Sequence, residues 1–175
     1  NLSFDVSDGQ LSTPSSAVIN IAAVNDAPVT SPVTLAATED TAVTFTQAQL
    51  LGSSYDIDSA NLTVLNVSAN HGVIVDNGNG TWTFTPAQDY NGSANLSFDV
   101  SDGQLSTPSS AVINIAAVND APVTSPVTLA ATEDTSVTFT TAQLLGSSYD
   151  IDSANLTALN VSANHGVIVD NGNGT

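Results

Sequence analysis

Carboxylates dominate the chemistry available to this chain: 17 Asp and Glu face no Lys or Arg, and His71 and His165 are the two histidines. Many of the acids fall in pairs or at segment ends. They are Asp26, Glu39-Asp40, Asp56-Ile57-Asp58 followed by Asn61, Asp89 and Asp102-Gly103. Beyond these come Asn119-Asp120, Glu133-Asp134 and Asp150-Ile151-Asp152 followed by Asn155. Successive side chains of an extended segment alternate in direction, so Asp-x-Asp places both carboxylates on one side. A hard divalent cation such as Ca²⁺ gathers about six to eight oxygen ligands from carboxylates, amide oxygens and carbonyls. Shared coordination of such a cation is therefore the chemistry this spacing predicts.

The same composition excludes other roles. A net charge of −17 offers nothing to offset a phosphate backbone or an anionic lipid surface, so nucleic-acid binding and membrane association are not expected. With no Cys there is no disulfide staple, a role that bound calcium can take over. No apolar run approaches the roughly 20 residues of a membrane span, and no signal peptide is visible.

Each His precedes a Gly with no second His nearby, the setting of a turn or surface residue. Ser, His and Asp are present, but no nucleophile-elbow motif occurs, and an enzyme is not expected. Asp40 and Asp134 read as turn residues in Glu-Asp-Thr bends, and Asp76 and Asp99 as surface residues. Asp76-Asn77-Gly78-Asn79-Gly80 resembles part of a calcium loop, yet its glycines fit a hairpin turn better. The Asn-x-Ser/Thr triplets at Asn61, Asn66, Asn91 and Asn95 are what a chain this rich in Asn, Ser and Thr produces by chance.

The elements that must position these acids repeat. Residues 1–81 align with 95–175 at an offset of 94 without a gap, and only Ala42/Ser136, Gln47/Thr141 and Val64/Ala158 differ. The organisation expected is a C-terminal remnant of one unit at 1–24, a complete unit at 25–118 and the N-terminal part of another at 119–175. Neither flanking piece is expected to fold well alone.

Within 25–118, short Val-, Thr- and Ile-rich runs separated by Gly, Asn, Asp and Pro predict seven strands. They lie near Pro32–Ala37, Ala42–Thr46, Leu62–Val67, Gly72–Asp76, Thr81–Thr85, Asn95–Ser101 and Ala111–Val118. Leu96, Phe98 and Val100 alternate with polar neighbours, which turns Asp99 to solvent; Trp82 and Phe84 alternate with threonines, and Trp82 is the expected core anchor. Thr46-Gln47-Ala48-Gln49 followed by Leu50-Leu51-Gly52 reads as a capping box opening one helical turn. The Val64/Ala158 difference suggests that Val64 faces outward and that Leu65 and Val67 face the core. The fold class is all-β: a seven-stranded Greek-key β-sandwich of cadherin or immunoglobulin type, in tandem array, with one short helical turn per repeat.

The Asn119-Asp120-Ala121-Pro122 linker, Glu39, Asp56-Ile57-Asp58 with Asn61, and Val100-Ser101-Asp102-Gly103 together resemble cadherin repeats. The closer resemblance is to the cadherin-like tandem repeats of large bacterial surface adhesins that carry calcium-binding RTX segments. That resemblance implies a downstream junction built from Glu39, Asp89, Asn119, Asp120, Asp150, Asp152 and Asn155. An upstream one would use Asn25, Asp26, Asp56, Asp58, Asn61 and Asp102. Ala121 and the Ala116-Ala117 pair depart from the animal pattern, and Asp89 lacks a second acid two residues later, so fewer ions per junction are implied.

The function this reading supports is an extender repeat of an extracellular, cell-surface adhesin serving cell adhesion or biofilm formation, with neighbouring repeats of the same chain as its partners. A glycan- or self-binding module making homophilic or glycan contacts is an alternative. So is a subunit of an extracellular filament or matrix fibre, assembled by strand exchange at the out-of-frame ends.

Overall fold

The computed structural model describes residues 1–175. Strands β1 (Leu2–Ser7) and β2 (Ser12–Ala17) pair as an antiparallel hairpin. Residues 25–118 hold β3 (Val33–Thr38), β4 (Val43–Thr46), helix α1 (Gln47–Leu51), β5 (Thr63–Ala69) and β6 (Gly72–Asp76). They continue through β7 (Thr81–Pro86), β8 (Gly92–Ser101) and β9 (Ser106–Ala116). Helix α2 (Thr141–Leu145) follows.

The seven strands β3 to β9 form two sheets, ordered β3-β9-β8-β5 and β4-β7-β6. Only β3 and β9 pair in parallel. The chain changes sheet between β3 and β4, β4 and β5, β5 and β6, and β7 and β8, while β6–β7 and β8–β9 are hairpins. Period-two patterning directs one side of each sheet inward. Phe45, Trp82 and Phe84 from the smaller sheet meet Val64, Leu96, Phe98, Val100, Ala111, Ile113 and Ile115 from the larger, and Leu50 of α1 closes one side. Helix α1 carries the expected capping box: Thr46 Oγ1 accepts from Gln49 N, and Gln49 Oε1 accepts from Thr46 N.

The expected facing of β5 is reversed at Val64 and Leu65 and holds at Val67, which packs against the core. Val64 is 4% exposed and part of the core, whereas Leu65 is 46% exposed. Asn66 adopts φ 55, and the pairing with β8 shifts register between Leu65 and Ser68. This bulge inserts a residue, so the core positions are 64 and 67 rather than 65 and 67. Asn66 Nδ2 then donates to Asp99 Oδ2 at 2.8 Å, which leaves Asp99 half-buried instead of free in solvent. The last strand also starts earlier than its sequence suggests. Pro108 lies within β9 opposite Asp99, and β3 joins β9 only from Ala111 onward. On that side no ladder partner misses the proline N–H.

The flanking residues show how much the strands depend on their neighbours. Leu2, Phe4 and Val6 are exposed, yet their copies Leu96, Phe98 and Val100 are buried. In 25–118, β3 pairs only with β9 and β5 only with β8. The matching residues 127–132 and 157–163 have no such partners in this chain and are irregular. Helix α2 persists because its Thr140–Gln143 capping box is local.

Close packing of the β6–β7 hairpin gives a test. A Cβ on Gly72 would lie 2.5 Å from the Thr85 carbonyl oxygen and 2.6 Å from Phe84 Cε2. One is backbone in the ladder and the other a buried ring, so neither can yield cheaply. Gly72→Ala is expected to cost about 1–3 kcal/mol, read as a lower urea midpoint; an unchanged midpoint would contradict this packing.

Candidate metal centre

Two groups of carboxylates meet where residues 25–118 give way to 119–175. Oxygens of Glu39, Asp120 and Asp152 lie within 4.8 Å of one another, and so do those of Asp40, Asp89 and Asp120. Asp120 belongs to both groups. Glu39 and Asp40 occupy the turn after β3, Asp89 the β7–β8 loop and Asp120 the linker, while Asp152 follows α2.

Each acid is held by a separate device. Glu39 is buried, at 1% exposure. Its Oε1 accepts from Val118 N, its Oε2 accepts from Asn91 Nδ2 at 3.3 Å, and its own N–H donates to the Ala116 carbonyl. These bonds tie the start of the linker to the end of β3. Asp40 and Asp89 have φ 57 and 55, a left-handed conformation that Asp tolerates, and Asp89 N donates to Asp40 Oδ1 at 3.2 Å. The rings of His71 and Tyr90 stack with centroids 4.3 Å apart, Tyr90 Oη donates to the Ser93 carbonyl and Ala87 N to the His71 carbonyl. These three contacts brace the loop that presents Asp89.

The Asp-Ile-Asp segments have one geometry in both copies. Asp56 Oδ1 accepts from the N–H groups of Asp58 and Ser59, each at 2.7 Å, and Asp150 Oδ1 accepts from Asp152 and Ser153. The second acid of each pair then receives the linker: Asp26 N donates to Asp58 Oδ2 at 2.9 Å and Asp120 N to Asp152 Oδ2 at 2.7 Å. One oxygen of Asp56 thus makes a turn, while its Oδ2 is buried without a partner, as is Asp120 Oδ2. Buried carboxylate oxygens without donors, in a chain without cationic side chains, are the environment a hard cation fits.

Of the residues singled out downstream, Glu39, Asp89, Asp120 and Asp152 come together. Asp150 shapes the turn beside them, Asn119 Nδ2 donates to the Asp120 carbonyl, and Asn155 lines a groove beside α2 instead. Upstream, Asn25 Nδ2 donates to Asp102 Oδ2 at 2.7 Å, alongside the Asp26–Asp58 contact. Asn61 lies on the groove beside α1. Asp40, read from sequence as a turn residue, is both a turn and a cluster member, and Asn91 was missed. The adjacency of Glu39 and Asp40 and the two-residue step from Asp89 to Asn91 were the available signals.

Burial and charge crowding act on Asp120, and hydrogen bonding on Asp102. Desolvation, then the carboxylates of Asp40, Asp89, Asp152 and Glu39, hold the Asp120 carboxyl above its ordinary 3.8. Asp102 is held below 3.8 by the N–H groups of Leu105 and Gln104 and the amide of Asn25. The signs are opposite. Metal-free stability rises as pH falls through the folded pKa of Asp120 towards 3.8, whereas the contribution of Asp102 is present above 3.8 and lost as pH falls through its own folded pKa. NMR titration in chelator is expected to protonate Asp120 before Asp102; the reverse order would contradict the clustering.

A family model described as a cadherin-like domain matches residues 24–116 and again 118–175. The chain belongs to the cadherin-like domain family. No curated protein matches it. Among solved structures, this cadherin-like chain is similar to the endo-fucoidan hydrolase MfFcnA4 from glycoside hydrolase family 107. The identity is 23% over 73% of this chain and 21% of that one, with TM-score 0.40. It is also similar to the endo-fucoidan hydrolase MfFcnA9 of the same family, at 20% identity over 64% of this chain and 21% of that one, with TM-score 0.35. The cadherin-like chain thus spans about a fifth of the length of those hydrolases. These neighbours correct the expectation that no enzyme is involved: the proteins named are hydrolases, while likeness at this level concerns the fold and assigns no reaction. No helix is long and apolar enough to cross a membrane.

Proposed function

We propose that this chain is an extender repeat of an extracellular, surface-attached adhesin, in which a calcium-type divalent cation stiffens the junction at Asn119-Asp120. The observation that carries the reading is the convergence of Glu39, Asp40, Asp89, Asp120 and Asp152 from both sides of one linker. The sequence supplies no Lys or Arg to neutralise them. Glu39, Asp89, Asp120 and Asp152 would hold the cation, with Asp40 completing the second group. When bound, the cation supplies the positive charge that lets these acids approach.

The chain's own residues set the rest. Glu39 anchors Val118, and Asp152 receives Asp120 N–H, so the linker is fastened at both ends before any ion arrives. Without neutralisation, repulsion among the acids favours a looser joint; with it, neighbouring repeats become the partners that hold an array extended. X-ray scattering of the full chain with calcium and with chelator tests the proposal. Equal dimensions in the two would overturn it.

A further inference from the structure

Two of the three positions that differ between the copies touch one another. Gln47, the first residue of α1, reaches across to β5: its Nε2 donates to the Leu62 carbonyl at 3.2 Å, and its Oε1 accepts from Val64 N at 3.5 Å. The side chain of Val64 enters the core at the same point. A groove of about 480 Å³ runs between α1 and residues Ala60 to Thr63, with Gln47 on its wall. In the other copy Thr141 and Ala158 replace this pair. The Thr141 hydroxyl donates to the Gly174 carbonyl at 3.1 Å, in the stretch that corresponds to the β6–β7 turn. The backbone contact is common to both copies, Gln47 N to the Gly80 carbonyl and Thr141 N to the Gly174 carbonyl. Threonine carries no amide to repeat the side-chain clasp of Gln47 onto the Leu62 carbonyl and Val64 N. The third difference, Ala42/Ser136, lies at an exposed position.

We infer that the α1–β5 seam is a graded clasp, so that repeats carrying Gln and Val resist unfolding more than repeats carrying Thr and Ala. Loss of the glutamine frees Leu62 O and Val64 N from their cross-element partner, and loss of two methyl groups opens space beneath the same strand. Because both act on one strand, they do not behave as independent sites. Resistance to forced opening follows the unfolding rate, so an array built from both kinds yields first at the Thr/Ala repeats. Only this last use rests on the extender reading.

The full chain reports the seam directly. Trp82 is its single Trp and is buried in the core of residues 25–118, so its fluorescence follows that unit alone. Urea unfolding and unfolding rates are measured in chelator for the parent chain, Q47T, V64A, Q47T/V64A and A42S. V64A is expected to lower the folded-to-unfolded ratio roughly tenfold or more, and Q47T about threefold to tenfold. The double variant should unfold faster than the parent yet lose less than the product of the single losses, and A42S should match the parent. Q47T removes no core atom and carries the rate measurement if V64A does not fold. A double variant as stable as the parent, a Q47T with the parent's unfolding rate, or single losses that multiply would each overturn the inference. With chelator present, none of these outcomes bears on the calcium proposal.

Discussion

Phe84→Ala is expected to destabilise residues 25–118 by about 3–5 kcal/mol, the cost of removing a buried aromatic ring. Phe84 is 0% exposed on β7, the middle strand of its sheet, opposite Val43 on one side and Ile74 on the other. A unit of this size has a total stability on the order of 5–10 kcal/mol. The variant should therefore sit near the edge of unfolding at room temperature. The same chain provides a contrast at Phe4, whose copy Phe98 is buried while Phe4 itself is exposed. Phe4→Ala should leave the Trp82 unfolding curve in place and Phe98→Ala should move it strongly. Similar curves for all three variants would contradict the placement of the core.

Asp120→Asn is expected to weaken calcium binding by about 100-fold, because Asp120 is the one carboxylate shared by both groups. A charge removed at about 4 Å from a partner is worth up to about 4 kcal/mol at an effective dielectric near 20, and 1.4 kcal/mol is tenfold in affinity. In chelator the sign reverses. The substitution removes repulsion against Asp40, Asp89, Asp152 and Glu39, so the metal-free variant should be no less stable than the parent. Asp76→Asn is the control, since Asp76 Oδ1 only caps Gly78 in the β6–β7 hairpin. Equal calcium affinity in the Asp120 and Asp76 variants would contradict the shared role of Asp120.

The strands and the acids were legible in the sequence for different reasons. Leu96, Phe98 and Val100, with Trp82 and Phe84, alternate without interruption, so period two placed them inward. The Thr46–Gln49 box and the Asn-Gly hairpin are local signals, and local bonds realise them even in α2, where no sheet surrounds it. Two features were hidden because they depend on residues far along the chain. The bulge at Asn66 is stabilised by Asp99 across the sheet, and the Val64/Ala158 difference, read without that bulge, turned Val64 outward and Leu65 inward. Pro108 reads as a strand breaker until the late arrival of β3 leaves its edge free. At the junction, Asp-x-Asp spacing pointed to shared ligands, but the entry of Asp40 and Asn91 follows from how the β3–β4 turn meets the β7–β8 loop. Spacing along the chain carries no record of that meeting.

The central claim is that cations gate the joint between residues 118 and 120. Small-angle scattering of the full 175-residue chain in calcium and in chelator, with D120N/D152N alongside, tests it most directly. The account predicts a longer, narrower distance distribution for the parent in calcium, a broader one in chelator, and no response in the double variant. Identical distributions in calcium and chelator, or an undiminished response in D120N/D152N, would contradict it.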